Sequence, residues 1–138
     1  MKIIVDTSVW IDFFNGRENE QTAILKQLIR DDGPIHLIPV IIQEILQGIR
    51  KDDQFNTVLD LLRGFPVLDR RAVPDAIGAA QLYRSLRKKG ITIRKSNDCL
   101  IAYICINSDS KILFKDRDFN LMIQNSQLES APGINIYQ

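Results

Sequence analysis

Two short apolar segments, each followed by a carboxylate, constrain the fold of this chain more than any other feature. Residues 2–5 read Lys-Ile-Ile-Val before Asp6, and residues 111–114 read Lys-Ile-Leu-Phe and lead through Lys115 to Asp116. Runs this apolar are typical of strands buried on both faces of a parallel sheet. Because parallel strands end at a common edge, both acids are expected where open α/β sheets place their chemistry.

Helical patterns separate these strands along the whole chain. Helices are predicted at 9–14, 18–30, 39–49, 54–63, 72–89, 97–104 (with Ser96 as its cap) and 118–123, and further short strands at 35–38, 66–68 and 134–137. The alternation, without repeats or a low-complexity linker, predicts an α/β three-layer fold with a short, mostly parallel sheet. We expect a single domain over 1–138.

Composition excludes several classes of protein. The chain has no stretch of 18 uncharged apolar residues and its first residues lack the layout of a signal peptide, so we expect a cytoplasmic protein with no membrane segment. Cys99 and Cys105 form no zinc motif and would lie on roughly opposite faces of their helix. The one histidine, His36, lies in an apolar strand and is interpreted as structural.

Four carboxylates adjoin strongly apolar structure: Asp6, Glu44, Asp98 and Asp116. Burying several ionised carboxylates near each other is costly unless a cation neutralises them. Oxygen ligands without His or Cys favour hard cations such as Mg²⁺ or Mn²⁺. Such ions activate water and stabilise charge on a phosphoryl centre, so the pattern favours metal-dependent phosphodiester hydrolysis.

Most of these acids also have a purely structural interpretation. Asp6 could cap the helix that follows it, and Asp98 could interact with the dipole of its own helix. Asp116 could be a turn residue, and Asp118 could cap the last short helix. Glu44, in the middle of an apolar helix, is harder to explain in this way.

At these acids the sequence resembles the PIN-domain ribonucleases, and among them the VapC-type toxins of toxin–antitoxin pairs. The matching segments are residues 4–11, 43–48, 97–102 and 115–119. The resemblance implies a PIN-like fold and an endoribonuclease toxin that cleaves structured RNA, such as tRNA or rRNA, with water activated by Mg²⁺ or Mn²⁺. It implies these catalytic and metal-holding residues: Asp6, Glu44, Asp98 and Asp116. Ser8 would be an accessory polar residue, and Asp118 is a candidate for a further metal-holding acid.

The resemblance also implies partners. Similar toxins form homodimers and are inhibited by a small cognate VapB-like antitoxin that covers the acidic groove. Apolar residues of the first helix could supply the antitoxin contact, or could instead belong to the core: Trp10, Ile11, Phe13 and Phe14.

A basic segment precedes Asp98. Residues 84–95 contain six of the 18 lysines and arginines and no acid, although the net charge is only +1. Arg94 and Lys95 could therefore guide an RNA backbone into the site. The same charges could instead face a helix dipole or pair with nearby acids.

Phe114 departs from the pattern, because similar toxins commonly carry Thr, Ser or His two residues before the fourth acid. The alternative function is therefore a non-catalytic PIN-like module that binds RNA or protein. A phosphohydrolase of the haloacid dehalogenase type would also begin with a strand and an Asp, but it needs an acid at the position of Ser8.

Overall fold

The computed structural model describes residues 1–133. Its elements, in chain order, are β1 (Lys2–Val5), α1 (Thr7–Phe14), α2 (Glu20–Arg30), β2 (Ile35–His36), α3 (Pro39–Gln47), α4 (Asp52–Leu62), α5 (Ala72–Lys88), α6 (Ser96–Asn107), β3 (Ser110–Leu113) and α7 (Arg117–Asn125). None of these helices is long and apolar enough to span a membrane. The strand predicted at 134–137 lies outside the described residues.

The three strands form one parallel sheet in the order β2, β1, β3. The central strand β1 is the most enclosed, and Ile4 at its middle is completely buried. Ile4 pairs with His36 on one side and with Ile112 on the other. Helices cover the sheet, with α6 packed on β3 and α5 packed on α6. This confirms the predicted α/β fold with a short parallel sheet.

Local sequence explains where several helices begin. Asp6 caps α1, and Asn19 and Thr22 form a reciprocal capping box at the start of α2. Pro39 opens α3, at the position where a missing N–H costs no helical hydrogen bond. Asp116 caps α7 by accepting a hydrogen bond from the backbone N–H of Asp118. Two of the four candidate acids therefore also serve as helix caps.

The structure differs from the sequence prediction at three element boundaries. The segment 66–68 forms only a single bridge, Leu37 to Val67, because Pro66 cannot donate a ladder hydrogen bond. Ser96, predicted as a cap, is the first residue of α6, and Lys95 takes the cap position without a side-chain hydrogen bond. Asp118, considered as a cap, lies inside α7.

Candidate active site

The ends of β1 and β3 place Asp6 at the predicted sheet edge. Val5 pairs with Leu113, and the backbone N–H of Asp6 donates to the carbonyl of Leu113 at 2.8 Å. The Asp6 carboxylate is 5% exposed and accepts from the Ser8 hydroxyl at 2.6 Å and the Ser8 N–H at 3.3 Å. Burial raises the pKa of Asp6, and the Ser8 hydrogen bonds partly oppose that rise. Ser8 therefore holds the Asp6 carboxylate in place.

Glu44 extends from α3 toward the same edge. Thr7 Oγ1 donates to Glu44 Oε1 at 2.7 Å, and Asn97 Nδ2 donates to Glu44 Oε2 at 3.3 Å. These bonds join the first turn of α1 and the first turn of α6 to the middle of α3. Glu44, the acid for which the sequence offered no simple structural role, thus lies where α1, α3 and α6 meet.

Asp98 is the most unusual acid of the group. It lies in the first turn of α6, is 5% exposed, and its Oδ2 is buried with no hydrogen-bond partner. Burial, followed by the negative charges of Asp6, Asp116 and Glu44, raises the pKa of Asp98 from 3.8 to about 7, although Lys95 opposes the rise. A buried, unpaired carboxylate oxygen among three other acids is the environment that a cation would stabilise.

The raised pKa of Asp98 predicts that the protein free of divalent cations loses stability as the pH rises. The unfolded carboxyl ionises near pH 3.8, whereas the folded one holds its proton to about pH 7. Between these values folding requires proton uptake, so the free energy of unfolding should fall, by up to about 4 kcal/mol in all. Urea titrations in EDTA from pH 4.5 to 8.5 measure the slope. Asp98→Asn should remove much of the slope, and a flat wild-type profile would contradict the prediction.

Asp116 and Asp118 follow β3 and are bound to the loop before α6. Arg94 Nη2 lies 3.2 Å from Asp116 Oδ1, and Arg94 Nε lies 3.4 Å from Asp118 Oδ2. Lys95 Nζ lies 3.7 Å from Asp116 Oδ2. The Asp118 carboxylate, on a residue 4% exposed, also accepts from the backbone N–H of Arg94 at 3.2 Å. The two cations considered for RNA binding are thus paired with acids.

A partly buried ion pair between Asp12 and Lys115 fixes the turn that carries Asp116. Asp12 of α1 is 3% exposed, and its Oδ2 accepts from Lys115 Nζ at 2.5 Å and from Asn19 Nδ2 at 3.0 Å. The Lys115 hydrogen bond is the main reason that the pKa of Asp12 is lowered. Because Lys115 directly precedes Asp116, this pair ties α1 to the β3–α7 turn.

Other residues that the sequence singled out have structural roles or are buried in the core. Phe114 is 2% exposed and packs against Phe119, with ring centroids 5.9 Å apart, so it is a core residue. His36 Nδ1 lies 3.0 Å from the carbonyl oxygen of Pro34. Cys99 and Cys105 are buried free thiols, and burial raises the pKa of both.

Asp6, Glu44, Asp98 and Asp116 form an acidic edge that offers only oxygen donors to a cation. In residues 1–133, no three His, Cys, Asp or Glu side chains already stand together as a metal-binding set. The chemistry of the donors nevertheless fits, because Asp98 Oδ2 is buried without a partner and Asp6 and Glu44 raise its pKa by their charge. An all-oxygen set of this kind suits Mg²⁺ or Mn²⁺.

Sequence reasoning missed three residues that hold the acids in place: Thr7, Asn97 and Asp12. Thr7 and Asn97 each lie beside a recognised acid, so adjacency was the available signal. Asp12 offered none, because its partner is 103 residues away in sequence.

An acidic edge at the end of a short parallel sheet is the arrangement expected of a PIN-domain protein. The PIN-domain family matches residues 3–122, and the chain belongs to that family. Two curated relatives narrow the class: VapC ribonuclease Mb1587 of Mycobacterium bovis and Ribonuclease VapC11 of Mycobacterium tuberculosis. Each is 32% identical over 130 residues, which is 94% of this chain and 97% of the relative. Within the family, the chain is therefore of the VapC type.

Solved structures agree on the fold. VapBC2 from Rickettsia felis, bound to a DNA fragment from its promoter, has a TM-score of 0.74 and 18% identity over 95% of this chain and 98% of that chain. DNA-bound VapBC from Salmonella typhimurium has a TM-score of 0.72 and 15% identity over 95% of this chain and 97% of that chain. At these identities the similarity shows the fold alone, and it confirms the predicted PIN-like architecture.

Proposed function

We propose that this protein is an endoribonuclease toxin that cleaves structured RNA, of the tRNA or rRNA type, with Mg²⁺ or Mn²⁺. The observation that carries the proposal is the buried, unpartnered Oδ2 of Asp98 beside Asp6 and Glu44. Membership of the VapC ribonucleases supports the reaction class. A cytoplasmic location follows from the proposed RNA substrate.

The residues at the acidic edge have two proposed roles: some would hold the cation, and others orient the carboxylates that hold it. Asp6, Glu44 and Asp98 would hold the cation, and Ser8, Thr7 and Asn97 orient the first two of these acids. When bound, the ion supplies an activated water and stabilises charge on the phosphate. Asp116 extends the negative edge, and Asp118 anchors Arg94 next to it.

The proposed products are a 5′-phosphate and a 3′-hydroxyl, because water attacks the phosphorus, the P–O3′ bond breaks and the 3′-oxygen leaves as a hydroxyl. Attack by the RNA 2′-hydroxyl would instead leave a cyclic phosphate and requires a general base. The one histidine of the chain is His36, and its Nδ1 faces a backbone carbonyl in the sheet. The structure thus provides carboxylates, and not an imidazole, at the reactive edge.

We also propose a VapB-like antitoxin partner, and a groove beside α1 is the candidate contact. Trp10 is fully buried and stacks on Phe14 with centroids 5.8 Å apart, so the core interpretation holds for Trp10. Ile11 is exposed, and a groove of about 290 Å³ is lined by Phe14, Ile49 and Val58 together with the polar residues Asn15, Asp53, Gln54 and Thr57. An amphipathic helical segment of a partner suits such a groove.

A homodimer completes the proposal. Val73 and Ile77 are the most exposed large apolar residues of α5, at 69% and 55%, and they lie one helical turn apart. Contiguous exposed apolar surface marks contacts between chains in many proteins, and Val73 and Ile77 are neighbours on one helix face. We therefore assign the outer face of the first half of α5 to the dimer contact.

The proposed reaction predicts metal-dependent cleavage that requires Glu44. Antitoxin-free protein should cut a panel of purified tRNA and rRNA in Mg²⁺ or Mn²⁺, give no cuts in EDTA, and leave 5′-phosphates at mapped ends. Glu44→Gln should lower the rate at least about tenfold because it removes one charge from the cation site. Glu18→Gln, the same change at an exposed position before α2, should leave the rate unchanged.

The alternative function, a non-catalytic binding module, predicts a different result. Phe114 in the core and cations on Asp116 are the observations that favour it. Folded protein that binds RNA but never cuts it in either metal would establish this alternative. Cuts that persist in EDTA would contradict the carboxylate mechanism itself.

A further inference from the structure

The acidic edge is divided into two halves by the cations of the chain itself. Asp116 faces a cation at each oxygen, Arg94 at 3.2 Å from Oδ1 and Lys95 at 3.7 Å from Oδ2. Asp118 receives both the Arg94 backbone N–H at 3.2 Å and its Nε at 3.4 Å. Arg94 is thus attached to the turn after β3 by its backbone as well as by its side chain.

The other half, formed by Asp6, Glu44 and Asp98, has no lysine or arginine in ion-pair contact among the described residues. Asp6 accepts from Ser8, and Glu44 accepts from Thr7 and Asn97, all neutral donors. Asp98 Oδ2 has no hydrogen-bond partner although it is buried. Only this half needs a cation from solution.

We infer that Arg94 acts as the built-in second positive charge of the site, so that the protein holds one divalent cation, at Asp6, Glu44 and Asp98, while Asp116 stays paired with Arg94. The inference rests on the proposed function and specifies how many ions serve it. A second ion at Asp116 would have to displace the Arg94 side chain, which is 69% exposed, and leave the buried Asp118 carboxylate with the Arg94 backbone N–H in place of its guanidinium. Phe114, which is packed in the core, offers no oxygen for such an ion.

Mn²⁺ binding to the RNA-free full chain tests the inference without using activity. Calorimetry and the electron paramagnetic resonance signal of free Mn²⁺ give the number of ions per chain and their affinity. The wild type should bind one Mn²⁺, and Arg94→Gln should bind a second because Asp116 loses its closer cation and keeps only Lys95, at 3.7 Å. Arg84→Gln, at an exposed arginine of the same basic segment, should still bind one.

Two further variants keep the test decisive if Arg94→Gln folds poorly. Asp98→Asn should weaken Mn²⁺ binding at least about tenfold. Asp116→Asn should change it by less than about threefold because Arg94 already neutralises that carboxylate. Two ions on the wild type, an unchanged count in Arg94→Gln, or equal losses in both Asp variants would overturn the inference while leaving the metal-dependent nuclease intact. No Mn²⁺ binding by folded wild type would instead overturn the proposed function.

Discussion

Gly78→Ala should destabilise the protein by roughly 2–4 kcal/mol, because α5 and α6 pack too closely to admit a methyl group. A Cβ at Gly78 would lie 2.0 Å from two ring carbons of Tyr103, far inside contact distance. The aromatic ring can give way only by moving out of the α5–α6 interface. Thermal unfolding should shift downward by on the order of 10 °C.

The matched control is Gly48→Ala, at the end of α3. Gly48 has right-handed helical geometry, and its nearest atom to an added Cβ lies 3.6 Å away, an ordinary contact. This change should be neutral or stabilise by about 0.5 kcal/mol, since alanine restricts the unfolded chain. Removing the ring in the double variant Gly78→Ala/Tyr103→Ala should recover part of the loss. Equal effects at the two glycines would contradict the steric explanation.

Sequence reasoning succeeded where burial itself leaves a pattern. Strands β1 and β3 were predictable because strands covered on both faces read as continuous apolar runs. Asp6 then followed from the parallel order of those strands, which brings Val5 beside Leu113. The family assignment was predictable from four short segments that follow one another along the chain, and the PIN-domain match over residues 3–122 confirms it.

The remaining features depend on contacts between distant segments. Glycine at position 78 is visible in the sequence, but its role requires the approach of α6. Arg94 and Asp116 are 22 residues apart in sequence, and their pairing depends on the position of the β3–α7 turn in the folded protein. A basic segment next to an acidic site fits RNA guidance or ion pairing equally well in sequence, and side-chain geometry is needed to show the ion pairs.

Cap and site functions were also inseparable in the sequence. In the sequence, Asp6 and Asp116 each fit a structural role as well as a place in the site, and in the structure both are helix caps that border the acidic edge. A helix cap holds its carboxylate at a helix N-terminus, where backbone N–H groups stabilise negative charge. The same geometry that begins α1 and α7 thus presents the acids.

Asp98→Asn should have the largest effect on activity, with RNA cleavage falling at least about 10²-fold, equivalent to about 2.7 kcal/mol of transition-state stabilisation. The amide keeps the shape of the side chain but removes the charge that a divalent cation requires. It also removes a carboxyl that burial and three acids make costly to ionise, so the cation-free protein should not lose stability at pH 8.

Single-turnover cleavage of a mapped RNA substrate in Mn²⁺, together with urea unfolding in EDTA, measures both effects on one preparation. The matched control is Asp109→Asn, at an exposed carboxylate just beyond the other end of α6. Asparagine tolerates the positive φ of 52° at that position, so activity and stability should both stay at the wild-type level. Lost activity with retained stability would identify Asp98 as a functional acid and not a packing residue. Loss of both activity and stability would show that Asp98 mainly stabilises the packing of α6. Full activity in Asp98→Asn would show that Asp98 takes no part in the reaction.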